Sequence, residues 1–171
     1  MCDFEALPKS YFSADKSYII TGGLGGFGLE LANWLKDKGV TKIVLSSRSG
    51  VKTPYQELSI QRLKKAGVNV LVSTNTSTTY NSAAALIEEA SSLGPVGGIF
   101  NLAMVLKDAI LENQTVESFE IVCEAKVNTT IYLDKLSRKL CPELDYFVCF
   151  SSVACALGNA GQGNYVIIKF F

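Results

Sequence analysis

The stretch that decides the fold reads Ser17-Tyr18-Ile19-Ile20-Thr21-Gly22-Gly23-Leu24-Gly25-Gly26-Phe27-Gly28 and continues as Leu29-Glu30-Leu31-Ala32-Asn33-Trp34-Leu35-Lys36-Asp37-Lys38. Its opening residues form a short apolar run of strand length. Residues 29–38 carry helical spacing, with Leu29, Ala32, Trp34 and Leu35 expected on the inner side. Between strand and helix lie five glycines in seven residues, 22–28. They satisfy two overlapping spacings. Gly23, Gly25 and Gly28 fit G-x-G-x-x-G, and Thr21-Gly22 with Gly26 and Gly28 fits T-G-x-x-x-G-x-G. A flexible turn is the bland alternative, but strand, glycine turn, helix is the setting of a dinucleotide fingerprint. Glycines let the backbone approach a pyrophosphate, and the helix N-terminus offers N–H donors and a partial positive charge. Thr21, Gly22, Gly23, Leu24, Gly25, Gly26, Phe27 and Gly28 are therefore expected to bind cofactor.

Outward from this segment, strand and helix alternate. Strands are expected at 17–23, 42–47, 69–73, 97–103 and 146–153. Helices are expected at 26–38, 54–66, 81–93, over a long stretch 116–139, and briefly near Asn164. Gly39, Gly67 and Gly94-Pro95 supply helix stops, and Thr115 an N-cap. Strands separated by helices imply right-handed crossovers and an α/β, doubly wound parallel sheet. The expected order is 3-2-1-4-5, with a ligand above the strand ends at the switch between strands 1 and 4. Residues 1–16 read as a lead-in segment, in which Leu7-Pro8 argues against helix, and 17–171 as one domain.

Composition excludes several classes. Lys+Arg and Asp+Glu balance at 16 each, with no basic stripe, so no nucleic-acid partner is expected. No apolar run approaches the ~20 residues of a membrane span, and residues 1–10 lack a secretory core. A mean hydropathy of +0.23 fits strands buried on both faces. There is no histidine, which removes His bases and His-ligated metals, and no metal site is expected. Five cysteines without C-x-x-C spacing read as reduced thiols in a cytoplasmic protein, with Cys149 as a small core residue.

The end of the second strand bears on cofactor choice. An acidic residue there would hold a ribose 2′-hydroxyl and select NAD. Here Ser46, Ser47, Arg48 and Ser49 offer hydroxyls and a cation, which suit a 2′-phosphate and hence NADPH. The alternative for Arg48 is a solvated surface arginine. Asn75 is a candidate for the adenine edge. Asn101 and Ala103 end the fourth strand where the nicotinamide ribose would lie, and Asn101 could equally clamp strands together.

The sequence resembles the ketoreductase domain of animal-type fatty acid synthase, a relative of the short-chain dehydrogenases. The landmarks are the stretch 18–28, Leu45-Ser46-Ser47-Arg48-Ser49-Gly50, residues 94–103, Leu111-Glu112-Asn113-Gln114-Thr115, residues 142–147, Phe150-Ser151-Ser152 and residues 158–165. The resemblance implies NADPH-dependent reduction of a β-ketoacyl thioester on acyl carrier protein, among other synthase domains. It also implies a site of Lys126, Ser152 and Tyr165. Tyr165 would donate a proton to the carbonyl, Ser152 would polarise it, and Lys126 would supply the ammonium that a phenol of ordinary pKa near 10 needs. Gln162, where one class of related reductases carries Trp, and Leu106-Lys107-Asp108, similar to an L-D-D element, imply a 3R product.

The sequence departs from the family pattern at its end. The pattern places Asn four residues after the tyrosine, then two strands and a substrate lid. Here that position is Lys169 and the sequence closes at Phe171. The expectation is a domain lacking those strands and the lid, with the outer edge of strand 5 exposed. Tyr165 and Lys169 also give the Y-x-x-x-K spacing of ordinary short-chain dehydrogenases, read here as coincidence. The alternative function is a truncated pseudo-reductase that binds NADPH or a synthase partner without catalysis.

Overall fold

The computed structural model describes residues 11–168. Five strands, β1 (Ser17–Thr21), β2 (Lys42–Ser46), β3 (Asn69–Ser73), β4 (Val96–Asn101) and β5 (Tyr146–Cys149), form one sheet ordered β3-β2-β1-β4-β5. Every pairing is parallel. The crossovers are α1 (Gly26–Asp37), α2 (Pro54–Lys65), α3 (Tyr80–Ser91) and a longer run from α4 (Val116–Cys123) through a π turn (Glu124–Asn128) to α5 (Thr129–Leu140). Short helices α6 (Ala154–Leu157) and α7 (Gly163–Ile167) close the described chain. The Rossmann-like order expected from the sequence is the order found.

Alternation along the strands builds two cores. In β1, Tyr18 and Ile20 point to one face, where they meet Leu29 and Leu35 of α1 and Leu63 of α2. Ile19 points to the other, against Leu86 and Ile87 of α3 and Leu133 of α5. Each such side chain, fully buried, contributes about 1.5–3 kcal/mol of transfer free energy. Local signals set the helix ends. Thr53 and Gln56 form a reciprocal capping box at α2, and Thr115 caps α4 by accepting from Ser118 N. Among the described residues no helix is long and apolar enough to cross a membrane.

Several expectations need correction. Strands end earlier than their apolar patterns, because residues 22–23, 102–103 and 150–153 leave the sheet to line or flank the site. Trp34 is not on the inner face. It is 43% exposed and packs edge-on against Phe12, ring centroids 5.5 Å apart. Cys149 is exposed rather than core, because β5 pairs only with β4 among the described strands and its outer side is open. The long helix 116–139 is interrupted by the π turn, and a 3-10 turn at Leu111–Asn113 was not foreseen.

Tyr18 is fully buried, and its hydroxyl donates to the Ser13 carbonyl at 3.2 Å. Burial, with the Asp145 carboxylate adding to it, pushes the phenol up to about 12. A raised acid keeps its proton in the folded state while the unfolded chain ionises near 10, so stability holds below pH 10 and falls as pH rises through 12. Denaturant unfolding between pH 9 and 12 should show that decline, and Tyr18→Phe should flatten it.

Candidate active site

The glycine turn is shaped by two steric demands. Gly22 sits at φ +67°, a left-handed conformation costly for other residues. A Cβ on Gly28 would lie 2.7 Å from Gly23 Cα, so α1 can press on the turn only with glycine there. Gly25 caps α1 without a side-chain hydrogen bond, and the first turn carries no acidic residue. The leading N–H groups of this helix remain available to an anion.

Above this turn opens a cavity of about 450 Å³, within the range of small-molecule sites. Gly22, Gly25, Gly26 and Gly28 line it, with Ser46, Ser47 and Arg48 at the end of β2 and Thr76 and Thr78 after the neighbouring β3. Leu102, Ala103, Met104, Val105 and Ala125 wall the other end. Phe27 overhangs it, 65% exposed, its ring 5.4 Å from that of Phe150. A Cβ on Gly26 would meet no atom within 4 Å, so this glycine leaves room that a ligand can use. Arg48 is exposed and has no salt-bridge partner among the described residues, leaving its guanidinium available to a phosphate. The set of helix N–H groups, hydroxyls, one arginine and an apolar end suits a dinucleotide.

Not every expected cofactor residue faces the cavity. Thr21, Gly23 and Leu24 are buried beneath it, with Gly23 N donating to Ser46 O at 3.0 Å. Asn75 is turned away: its Nδ2 donates to Glu89 Oε1 at 2.9 Å and its carbonyl accepts from Ser46 Oγ. Asn101 is fully buried and acts as the clamp. Its Oδ1 accepts from Thr21 Oγ1 at 2.8 Å and from Ala103 N at 3.2 Å, and its Nδ2 donates to Thr130 Oγ1 at 2.8 Å. Thr76 and Thr78 escaped the sequence reading, although the hydroxyl-rich run 73–79 after β3 was their available signal.

Lys126 lies in the π turn, 5% exposed, and its Nζ donates to the Asn101 carbonyl at 2.6 Å. A π turn widens the helix by one residue and is often found at functional sites. Here it delivers the ammonium to the C-terminal end of β4. Tyr165, on α7, is 6% exposed. Its hydroxyl donates to Met104 Sδ at 3.8 Å, and Met104 is part of the cavity wall. Ser152 lies just before α6, half-buried, its Oγ accepting from Ala154 N at 3.2 Å. Gln162 Nε2 donates to Asp108 Oδ2 at 3.0 Å. Lys169 lies outside the described residues.

A parallel sheet ordered β3-β2-β1-β4-β5, with a glycine turn at its switch point, defines a Rossmann-like nucleotide-binding fold. The KR domain family model matches residues 16–168, and the chain belongs to this ketoreductase family. It is 36% identical over 164 residues to the hybrid PKS-NRPS synthetase pynA of Aspergillus niger, covering 93% of this chain and 4% of that protein. It is 37% identical over 161 residues to highly-reducing polyketide synthase 1 of Aureobasidium melanogenum, covering 94% and 7%. The chain thus spans a small part of the curated relatives it matches. Among solved structures, an N-terminal ketoreductase from the macrolactin assembly line superposes with TM-score 0.86 at 31% identity, covering 96% of this chain and 33% of that one. The first ketoreductase of the tylosin PKS gives 0.80 at 32% identity, covering 94% and 34%. These relatives are polyketide synthases and their ketoreductases, not the animal-type fatty acid synthase that the sequence was expected to match.

The glycines make a paired prediction. Gly28→Ala forces a Cβ into backbone and should cost about 1–3 kcal/mol, lowering the melting temperature by roughly 2–10 °C. Gly26→Ala has space and should leave the ligand-free melting temperature unchanged while weakening dinucleotide binding. Thermal denaturation with and without NADPH separates the two.

Proposed function

We propose that this chain is an NADPH-dependent reductase that converts a β-ketoacyl thioester, presented on an acyl carrier protein, to the 3-hydroxyacyl thioester. The observation that carries this reading is Met104. It lines the dinucleotide-type cavity and meets the Tyr165 hydroxyl, so the cofactor cleft and a proton donor converge at one wall. The glycine turn and Arg48 would hold NADPH, which when bound would supply the hydride for the carbonyl carbon. Tyr165 holds the proton for the carbonyl oxygen, Ser152 polarises that oxygen, and Lys126 is assigned, by resemblance, the positive charge that eases the phenol's proton release. One hydride and one proton turn C=O into CH–OH, with no further reactant. Arg48 recognises the 2′-phosphate, and Gln162 with the Leu106-Lys107-Asp108 element supports, by resemblance, a 3R product.

Both fatty acid and polyketide synthases present such thioesters. The resemblance of the landmarks to fatty acid synthase supports fatty acid synthesis, with the other domains of such a synthase as partners, while the relatives found are polyketide synthases. Residues 17–171 form the reductase unit behind the lead-in 1–16. Four free thiols among the described residues support a reducing, cytoplasmic setting.

The test is NADPH oxidation by the purified chain with a short β-ketoacyl thioester, with chiral analysis of the product. Turnover to the 3R alcohol supports the proposal, and Lys126→Met should abolish it while Lys169→Met should not. NADPH binding without turnover by folded protein would favour the pseudo-reductase reading instead. Arg48→Ala should weaken NADPH binding about 10- to 100-fold and leave NADH binding unchanged, as read by calorimetry.

A further inference from the structure

We propose that Gln114 is a positioning residue that fixes Tyr165 relative to the cavity wall; this rests on the reading that Tyr165 delivers the proton. Gln114 lies between the 3-10 turn and the N-cap Thr115, far in sequence from Tyr165. Its Nε2 faces three carbonyl oxygens, those of Ala109 at 2.9 Å, Lys107 at 3.3 Å and Gly161 at 3.4 Å. Its Oε1 accepts from Ser118 Oγ at 2.7 Å and from Asn164 Nδ2 at 3.0 Å. Both N–H groups and both lone pairs of the amide are engaged, so its orientation is fixed.

The network joins two segments that meet the reacting groups. The first is 104–109, which starts at Met104 in the cavity wall. The second is 161–165, which ends at Tyr165. Ala109 N donates to Gly161 O at 2.9 Å, and Asn164 Nδ2 donates also to Lys107 O at 2.9 Å. Asn164 is fully buried, and its Oδ1 accepts from Tyr165 N at 2.6 Å. Gln114 therefore holds Asn164, Asn164 holds the backbone of Tyr165, and the same amide holds the segment running to Met104. No atom of Gln114 needs to touch substrate. A side chain that registers a proton donor to a binding wall acts on the chemical step, because small misplacements of reacting groups cost rate steeply.

The test compares the 171-residue chain with Gln114→Ala and the near-isosteric Gln114→Glu. Glu keeps the acceptors for Ser118 and Asn164 but sets a carboxylate against three carbonyl oxygens. Deuterium exchange of the peptide 159–168 and kinetics of NADPH oxidation with a short β-ketoacyl thioester are read together. Both variants should exchange faster at 159–168 while the sheet and the NADPH dissociation constant stay at wild-type values. The kcat should fall on the order of 10²-fold with KM for NADPH unchanged. The Glu variant should regain rate, relative to wild type, at acid pH, where its protonated carboxyl can donate again. Unchanged exchange at 159–168 in both variants overturns the proposal, as does exchange that rises throughout the sheet. Absence of turnover by the wild-type chain would reject the functional reading, and the exchange measurement would still decide the role of Gln114.

Discussion

Asn101 is the constraint on which the rest of this structure rests. It sits at the end of β4, where the sheet changes winding direction, and nothing of it reaches solvent. Its side chain binds Thr21 of β1 and Thr130 of α5, and its carbonyl accepts from Lys126 and from Phe150 N as the chain leaves β5. A buried amide left without these partners would cost about 1–3 kcal/mol for each unpaired group. With them, one residue ties together the strand before the glycine turn, the helix run that carries the lysine and the exit of the edge strand. The cleft is where it is because these elements separate just beyond this knot.

The break in the long helix belongs to the same knot. Lys126 gives its Nζ to the Asn101 carbonyl, and Thr130 Oγ1 accepts from Asn101 Nδ2 while donating to the Lys126 carbonyl at 2.7 Å. A threonine hydroxyl bonded back to the carbonyl four residues earlier commonly bends a helix. The π turn thus has neighbours that hold it, and burying the lysine is tolerable because its head group finds a carbonyl.

What the sequence discloses here is what short-range spacing encodes. The glycine turn, the α1 start, the β3 limits and the strand order follow from local periodicity and the handedness of crossovers. Thr115 could be read as a cap because its partner is three residues away. The rest depends on contacts across the fold. The outward turn of Trp34 follows from Phe12 arriving at the end of α1, and the exposure of Cys149 from β5 lying at the sheet edge. Asn75 looks like a ligand contact until Glu89 is placed beside it. Gln114 carries no signal of its own, since its partners lie 4 to 50 residues away and come together only once α7 docks.

The aromatic packing of the lead-in segment has an optical consequence. Trp34 is the single tryptophan of the chain. Its indole meets Phe12 edge-on, the Lys38 ammonium lies 5.8 Å from its centre, and Phe12 in turn leans on Tyr146 of the edge strand at 4.8 Å. The indole sits about 12 Å along α1 from the glycine turn, eight residues at 1.5 Å each. Its emission therefore reports the seating of the lead-in residues against β5, giving a fluorescent gauge of that corner that is spatially separate from the dinucleotide cleft.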